Sequence, residues 1–284
     1  MKQLEHGAPL AAWADLAQAP AANPLQAAGS FVKKSLIIAD MEVRKLRHDP
    51  TELLTRAVQP ALWLLIFGQV FATIRAIPTG SMSYIDFMAP GILAQSVLFI
   101  SIFYGISVIW ERDLGILHKF LASPTPRTAL VLGKALSAGA RGLAQAVMIY
   151  ILALLLGVKM DWNPLAIVGV IFTVILGAAL FSTFSLIIAC LVKTRERFMG
   201  IGQVLTMPLF FASNAIYPIS IMPGWLQAVS QVNPLTYEVD ALRAMMLAGG
   251  ASATGGLGLD FVVLAAWSAI LIYLGSRLYP TIVR

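Results

Sequence analysis

The sequence predicts an all-α polytopic membrane protein, and three observations carry that expectation. Hydrophobic residues make up 58% of the 284-residue chain and charged residues only 12%, about half the roughly 25% typical of a soluble domain. The apolar residues gather into six runs near the length of about 20 residues that crosses a bilayer core. The basic residues lie in short segments beside those runs, as the positive-inside bias of membrane insertion requires. A net charge of +6 would otherwise fit a nucleic-acid partner, but this distribution argues for a membrane and against nucleic acid. The single cysteine, Cys190, lies in an apolar run, so it reads as a packing residue and no disulfide framework is expected.

Residues 1–30 are rich in Ala and Pro and lack a basic segment followed by a continuous apolar core. They read as a disordered cytosolic tail rather than a signal peptide. Residues 31–49 form an N-terminal amphipathic interfacial helix. Val32, Leu36, Ala39, Val43 and Leu46 follow helical spacing, flanked by Lys33, Lys34, Arg44, Lys45 and Arg47, a pattern that lies along an anionic inner leaflet. Asp49-Pro50-Thr51-Glu52 reads as a capping box with Pro at the first helical position.

Six transmembrane helices follow, at about 57–74, 85–110, 143–158, 165–192, 198–217 and 257–276. Pro60, Pro90 and Pro208 interrupt the hydrogen-bond ladder within them. With the N-terminus inside, 17 of the 20 Lys and Arg residues fall on the cytosolic side, and only Arg75, Lys159 and Arg243 fall outside. That asymmetry places both termini in the cytosol and residues 218–256 on the exterior. Lys134 and Arg141, seven apart, share a face of the helix leading into the third span. Lys134 is expected in the cytosol and Arg141 snorkelling to the inner headgroups, with an anionic-substrate contact as a further option for Arg141.

Residues 218–256 carry two short helical patterns. Trp225, Leu226, Val229 and Val232 recur at helical spacing; Asn233-Pro234 ends that pattern and starts the next, marked by Leu235, Val239, Leu242 and Met246 and ended by Gly249-Gly250. Neither is long enough to span, so the pair reads as an external re-entrant or amphipathic helical hairpin that dips into the outer leaflet or caps a cavity. Asp240 and Arg243, three apart, can pair on a helix surface. Such a pair is expected to be partly buried, holding the exit closed, with Tyr237 near the same junction.

Phe210-Phe211-Ala212-Ser213-Asn214, Tyr217-Pro218, Met222-Pro223-Gly224-Trp225-Leu226, Asn233-Pro234-Leu235-Thr236-Tyr237 and Asp240-Ala241-Leu242-Arg243 together resemble the signature of type-2 ABC exporter permeases. These are the membrane subunits of bacterial and archaeal transporters for drugs, antibiotics, lipids and glycans. The resemblance runs over 31–284. It implies a multi-pass protein of the bacterial or archaeal plasma membrane, acting in efflux and paired with a second permease chain, as a homodimer. Two copies of a cytosolic ABC ATPase subunit would hold ATP and Mg, so no cofactor is expected on this chain. Gate residues would be Tyr217, Pro218, Trp225, Asn233, Pro234, Tyr237, Asp240 and Arg243.

The loop 111–127 resembles that family's coupling loop, with Glu111-Arg112 followed by Asp113, and Ile116-Leu117 in place of Thr-Leu. The resemblance implies that Glu111, Arg112, Asp113, Leu117 and Phe120 couple to the ATPase. Apolar Leu114, Leu117 and Leu121 support a short amphipathic helix there.

The chain carries no ATP-hydrolysing motif of its own. Its one Gly-Lys pair, Gly133-Lys134, is followed by Ala135 and preceded by Thr128 where a phosphate-binding loop needs Ser or Thr and Gly. His6, His48 and His118 are scattered, so neither a metal site nor a catalytic residue is expected. Aromatic stripes Trp63, Phe67 and Phe71, Phe99 and Phe103, and Phe210 either pack between helices and lipid or line a path. Two other classes stand beside an exporter of an amphiphilic substrate. A membrane-embedded lipid-modifying enzyme would need acid, base or metal-ligand residues that the spans lack. A passive channel or scaffold would lack a partner ATPase.

Overall fold

The computed structural model describes residues 55, 58–74, 77–80, 82–115, 127–192, 194–250 and 252–279. Its helices are α1 (Val58–Ile74), α2 (Tyr84–Tyr104), α3 (Ile106–Asp113), α4 (Arg127–Leu155), α5 (Pro164–Leu191), α6 (Arg195–Phe211), α7 (Gly224–Val232), α8 (Pro234–Met246) and α9 (Leu257–Leu278). Local chemistry sets several starts. Ser83 accepts from the Asp86 amide at α2 and Thr194 from the Arg197 amide at α6. Asn163 and Asn233 accept from the Leu165 and Leu235 amides, each with Pro at the next position. These caps satisfy amides that a helix start otherwise leaves unpaired.

Among the described residues, four helical stretches are long and apolar enough to cross a membrane: Tyr84–Asp113, Leu130–Leu155, Pro164–Leu191 and Leu257–Leu278. α1 is a shorter apolar helix, and α6 has 17 residues. α5 is the centre, packing against α2, α4, α8 and α9. Its 28 residues extend about 42 Å, longer than the hydrocarbon core of about 30 Å. Leu93 and Val97 of α2, Ala153 of α4, Val174 and Ala178 of α5, Leu242 of α8 and Leu264 of α9 form the main core. A second cluster, with Val131, Ala189, Phe198 and Tyr279, closes the end of the bundle near Lys134. Lipid is as apolar as these side chains, so close packing and satisfied polar groups, rather than escape from water, hold such a bundle together.

Several boundaries differ from the expectation. The second run breaks at Gly105 rather than running straight through, and Pro90 and Pro208 sit inside α2 and α6. After Pro60, α1 widens into a π-helix at Trp63–Gly68. The third run ends at Leu155, where Gly157 takes φ +75°. The fifth starts at Arg195 and stops at Phe211, six residues short of Tyr217. There Ser213 Oγ turns back to donate to the Phe210 carbonyl at 2.7 Å and Asn214 reaches across to α8, both competing with helix continuation.

The hairpin is also unlike a pair of surface helices. α7 keeps an exposed face, with Trp225 71% and Val232 65% exposed. α8 is buried on both its apolar and its polar side, including Glu238, Asp240 and Arg243, and packs on α2, α5 and α9. Asp240 and Arg243 therefore face polar groups of the chain itself instead of water. The expected helix at 31–49 lies outside the described residues.

Candidate functional site

The polar side of α8 organises one end of the bundle. Arg243 is 3% exposed, and its Nη1 donates to Asp240 Oδ1 at 2.9 Å. Its Nη2 donates to the Asn214 carbonyl at 2.8 Å and to the Phe87 carbonyl at 3.5 Å. The guanidinium carbon lies 4.0 Å from the Phe87 ring centroid, a cation–π arrangement that gains strength when desolvated. Asp240 Oδ1 also accepts from Asn214 Nδ2, and Oδ2 accepts from the Ala253 amide at 3.2 Å. One turn of α8 thus fastens three other segments: α2, the turn after α6, and the approach to α9. The first of these fits closely because residue 91 is glycine; a Cβ there would lie 2.3 Å from the Ala215 carbonyl oxygen.

The pair i,i+3 on α8 is the one whose spacing the sequence displays, and it is more deeply enclosed than a partly buried pair. Burial raises the Asp240 carboxyl above the ordinary carboxylate range, with the Arg243 charge opposing that rise. Burial lowers the Arg243 guanidinium to about 10, which leaves it charged at neutral pH. Their neighbour Glu238 is fully buried, with neither carboxylate oxygen paired among the described residues, and desolvation pushes its carboxyl well up. It lies against α5 at Gly177, where a Cβ would come within 2.2 Å of Oε1.

Above this hub lies a cavity of about 460 Å³ lined by Phe87, Asn214, Pro218, Gln231, Tyr237 and Arg243 among others. Tyr237 Oη donates to the Gln231 carbonyl at 2.6 Å, and Tyr217 Oη to the Phe211 carbonyl. Asn233, besides capping α8, donates from Nδ2 to the Leu209 carbonyl at 2.7 Å, which ties the hairpin to α6. Of the eight hairpin residues named from the sequence, Pro218, Tyr237 and Arg243 share this cavity. Trp225 stands apart on the exposed face of α7.

The opposite end carries a second polar cluster. Glu111 and Lys134 form an ion pair at 2.8 Å, their side chains 13% and 10% exposed. Lys134 is therefore paired and buried, in contrast to a solvated cytosolic lysine. Asp113 bridges Arg112 at 3.0 Å and Arg195 at 2.9 Å, and Arg195 stacks 3.4 Å from the Trp110 ring centroid. These contacts pin α3 to α4 and α6. Glu111, Arg112 and Asp113 thus turn toward their own chain; Leu117 and Phe120 lie outside the described residues.

Trp63 and Phe67 of α1 lie 4.5 Å apart between centroids, and Trp63 meets Phe210 of α6 at 5.8 Å, so these aromatics join α1 to α6. Phe71 contacts Tyr84 at 5.6 Å. Phe99 and Phe103 lie 6.2 Å apart beside a different cleft, in which Gln95 and Gln145 also take part. Those two glutamines escaped the sequence reading; polar amides in otherwise apolar runs were the available signal. No group of three or more His, Cys, Asp or Glu residues able to hold a metal occurs among the described residues.

Comparison with known proteins agrees with this architecture. The family model described as ABC-2 type transporter matches residues 34–247. The chain is 30% identical over 216 residues to the transport permease ycf38 of Cyanophora paradoxa, covering 75% of this chain and 74% of that one. It is 28% identical over 233 residues to the daunorubicin resistance ABC transporter permease protein DrrB1 of Streptomyces coeruleorubidus, covering 82% and 81%. Against the inner membrane transport permease YadH of Escherichia coli K12 the identity is 24% over 197 residues, covering 67% and 73%.

Proposed function

The chain belongs to the ABC-2 type transporter family, and from that premise we propose that it is the permease of an ATP-driven exporter of an amphiphilic substrate. Two permease chains enclose one path, and two copies of a separate cytosolic ATPase drive it. The chain crosses the plasma membrane six times, through α1, α2–α3, α4, α5, α6 and α9, with both termini in the cytosol. The end bearing Glu111 and Lys134 faces the cytosol and the Asp240–Arg243 end faces outward. The basic asymmetry, 17 residues against 3, supports that orientation. The drug resistance for which DrrB1 is named supports export and an amphiphilic, drug-like cargo.

The observation that carries the mechanism is the hub on α8. One buried ion pair connects the outer ends of α2, α6 and α9, so tilting any one of them strains the rest. α8 acts as the resting outer gate, and opening requires these hydrogen bonds to exchange partners. At the inner end, the Glu111–Lys134 and Asp113–Arg195 pairs make α3 a stiff base for the coupling segment that follows it. Movement of the ATPase then reaches α4 and α6 rather than dissipating in a loop.

Co-expression with a candidate ABC ATPase subunit from the same organism, followed by reconstitution into liposomes, tests this reading. The expected result is a stable complex whose hydrolysis is stimulated by substrate and which moves drug in an ATP-dependent, outward sense. A chain that binds no ATPase, or that passes drug without nucleotide, overturns it.

A further inference from the structure

Between α1, α2 and α4 lies a cleft of about 260 Å³ whose chemistry is unlike the rest of the apolar interior. Each of the three helices contributes a glutamine to it: Gln59, Gln95 and Gln145. Gln95 is 2% exposed and Gln145 1%. Oε1 of Gln95 and both Oε1 and Nε2 of Gln145 are buried without a hydrogen-bond partner. Phe99 and Phe103, one helical turn apart on α2, form an aromatic wall beside them. Among the described residues, no acidic or basic side chain lines the cleft.

An unpaired buried amide is unfavourable in any protein interior. Two helices bringing such groups to one cleft, with the exposed Gln59 of a third beside them, describe a site built to receive a polar guest. An amide offers both donors and acceptors, which suits hydroxyl and carbonyl groups. The described lining offers a charged guest no counter-charge in a low-dielectric setting, which favours a neutral one. The volume lies just below the roughly 300–1,000 Å³ of pockets that hold whole drug-sized molecules. It therefore receives one part of a larger amphiphile.

We propose that this cleft binds the uncharged, hydroxyl- or carbonyl-bearing ring portion of the transported amphiphile. Gln95 and Gln145 hydrogen-bond its oxygens, and Phe99 and Phe103 contact its ring face. The inference deepens the exporter reading and rests on it for the word transported, but binding is measurable without transport.

The test uses the full chain in lipid nanodiscs, titrated with quinizarin, an uncharged dihydroxyanthraquinone. Anthracene and anthraquinone-2-sulfonate serve as analogues without oxygens and with a charge, and empty nanodiscs supply the baseline. Quinizarin should bind saturably. Gln95→Leu and Gln145→Leu should each weaken it about tenfold, the loss of one neutral hydrogen bond in an apolar setting. Both variants should melt no lower than the parent, because each removes an unpaired polar group while keeping side-chain size. Anthracene should be indifferent to the substitutions and the sulfonate should not compete. Where a leucine variant does not fold, the methionine variant at the same position takes its place. Equal quinizarin affinity in parent and variants, non-saturable uptake, or full competition by the sulfonate overturns the site. Saturable, glutamine-dependent binding without ATP-driven movement would instead count against the exporter reading and leave the site standing.

Discussion

Asp240 and Arg243 show how strongly a position's surroundings decide what a pair of charges is worth. On an exposed helix such a pair contributes a few tenths of a kcal/mol. Here the side chains are 0% and 4% exposed, and removing one leaves the other uncompensated in the interior. Arg243→Ala and Asp240→Ala should each cost about 3–5 kcal/mol, read as a lower melting temperature of the purified protein. The double variant should lose less than the two singles combined; strict additivity would show that the pair is not coupled. Glu238 offers a contrast, since it is buried with no charged partner among the described residues. Its folded-state carboxyl is raised above the ordinary value of 4.5 by desolvation, so the folded state holds the proton more tightly than the unfolded state does. Its burden on stability is therefore absent below about pH 4.5 and grows as pH climbs from there toward the folded value. Glu238→Gln should melt like the parent near pH 4 and progressively higher than it toward neutrality. A constant difference at every pH would mean that Glu238 does not titrate in that window. The i,i+3 spacing made the Asp240–Arg243 pair readable from the chain alone. The burial of Glu238 was not, because its three-residue context looks like any solvated helix face.

The same limit operates at the scale of the element. Periodicity identified two faces on α8, yet a polar face reads identically whether it meets water or Asn214 and Ala253 of the same chain. Caps were more legible. Asn233-Pro234 opens α8 as its chemistry demands, with the Leu235 amide 3.0 Å from Asn233 Oδ1. The end of α6 was misjudged because apolar residues continue to Tyr217 while hydrogen bonds from Ser213 and Asn214 end the helix. Small residues in apolar runs permit close helix packing but do not name the partner. Gly169 and Gly177 turn out to receive Met245 and Glu238 of α8. Gly91→Ala should therefore cost about 1–3 kcal/mol by overpacking, since its new methyl would meet the Ala215 backbone rather than a side chain able to move. Gly200→Ala, in open space on α6, should instead stabilise by about 0.5–1 kcal/mol through reduced backbone freedom. Paired melting curves check both signs at once.

For the molecule as a whole, composition was enough to indicate a helical membrane bundle, and four stretches meet the length and apolarity of a span. The packing order around α5 was not legible, because apolar runs of similar character give no clue to which neighbours touch. Orientation is tested by chemistry from outside. In a Cys190→Ala background, a cysteine replacing Ser220, exposed in the short turn before α7, should react with an impermeant thiol reagent applied to intact cells. One replacing Glu196, exposed at the start of α6, should react only after the membrane is opened. The opposite pattern would invert the topology and, with it, the assignment of the α8 hub as an outer gate.

One small feature bears on how such a chain can diverge. The stretch between α4 and α5 meets the end of α8 as a two-stranded fragment: Met160 bridges Leu247, the Asp161 amide donates to the Met246 carbonyl at 2.9 Å, and the Ala248 amide to the Lys159 carbonyl at 3.0 Å. These bonds use main-chain atoms only, so they ask nothing of side-chain identity except that a donor not be proline. Met160, Met246 and Leu247 are also buried in the main core and must stay apolar, but mutational drift can rewrite Lys159, Asp161 and Ala248 while the mechanical join between the two halves of the bundle persists. Such a join is inherited as a run of apolar residues rather than as a motif.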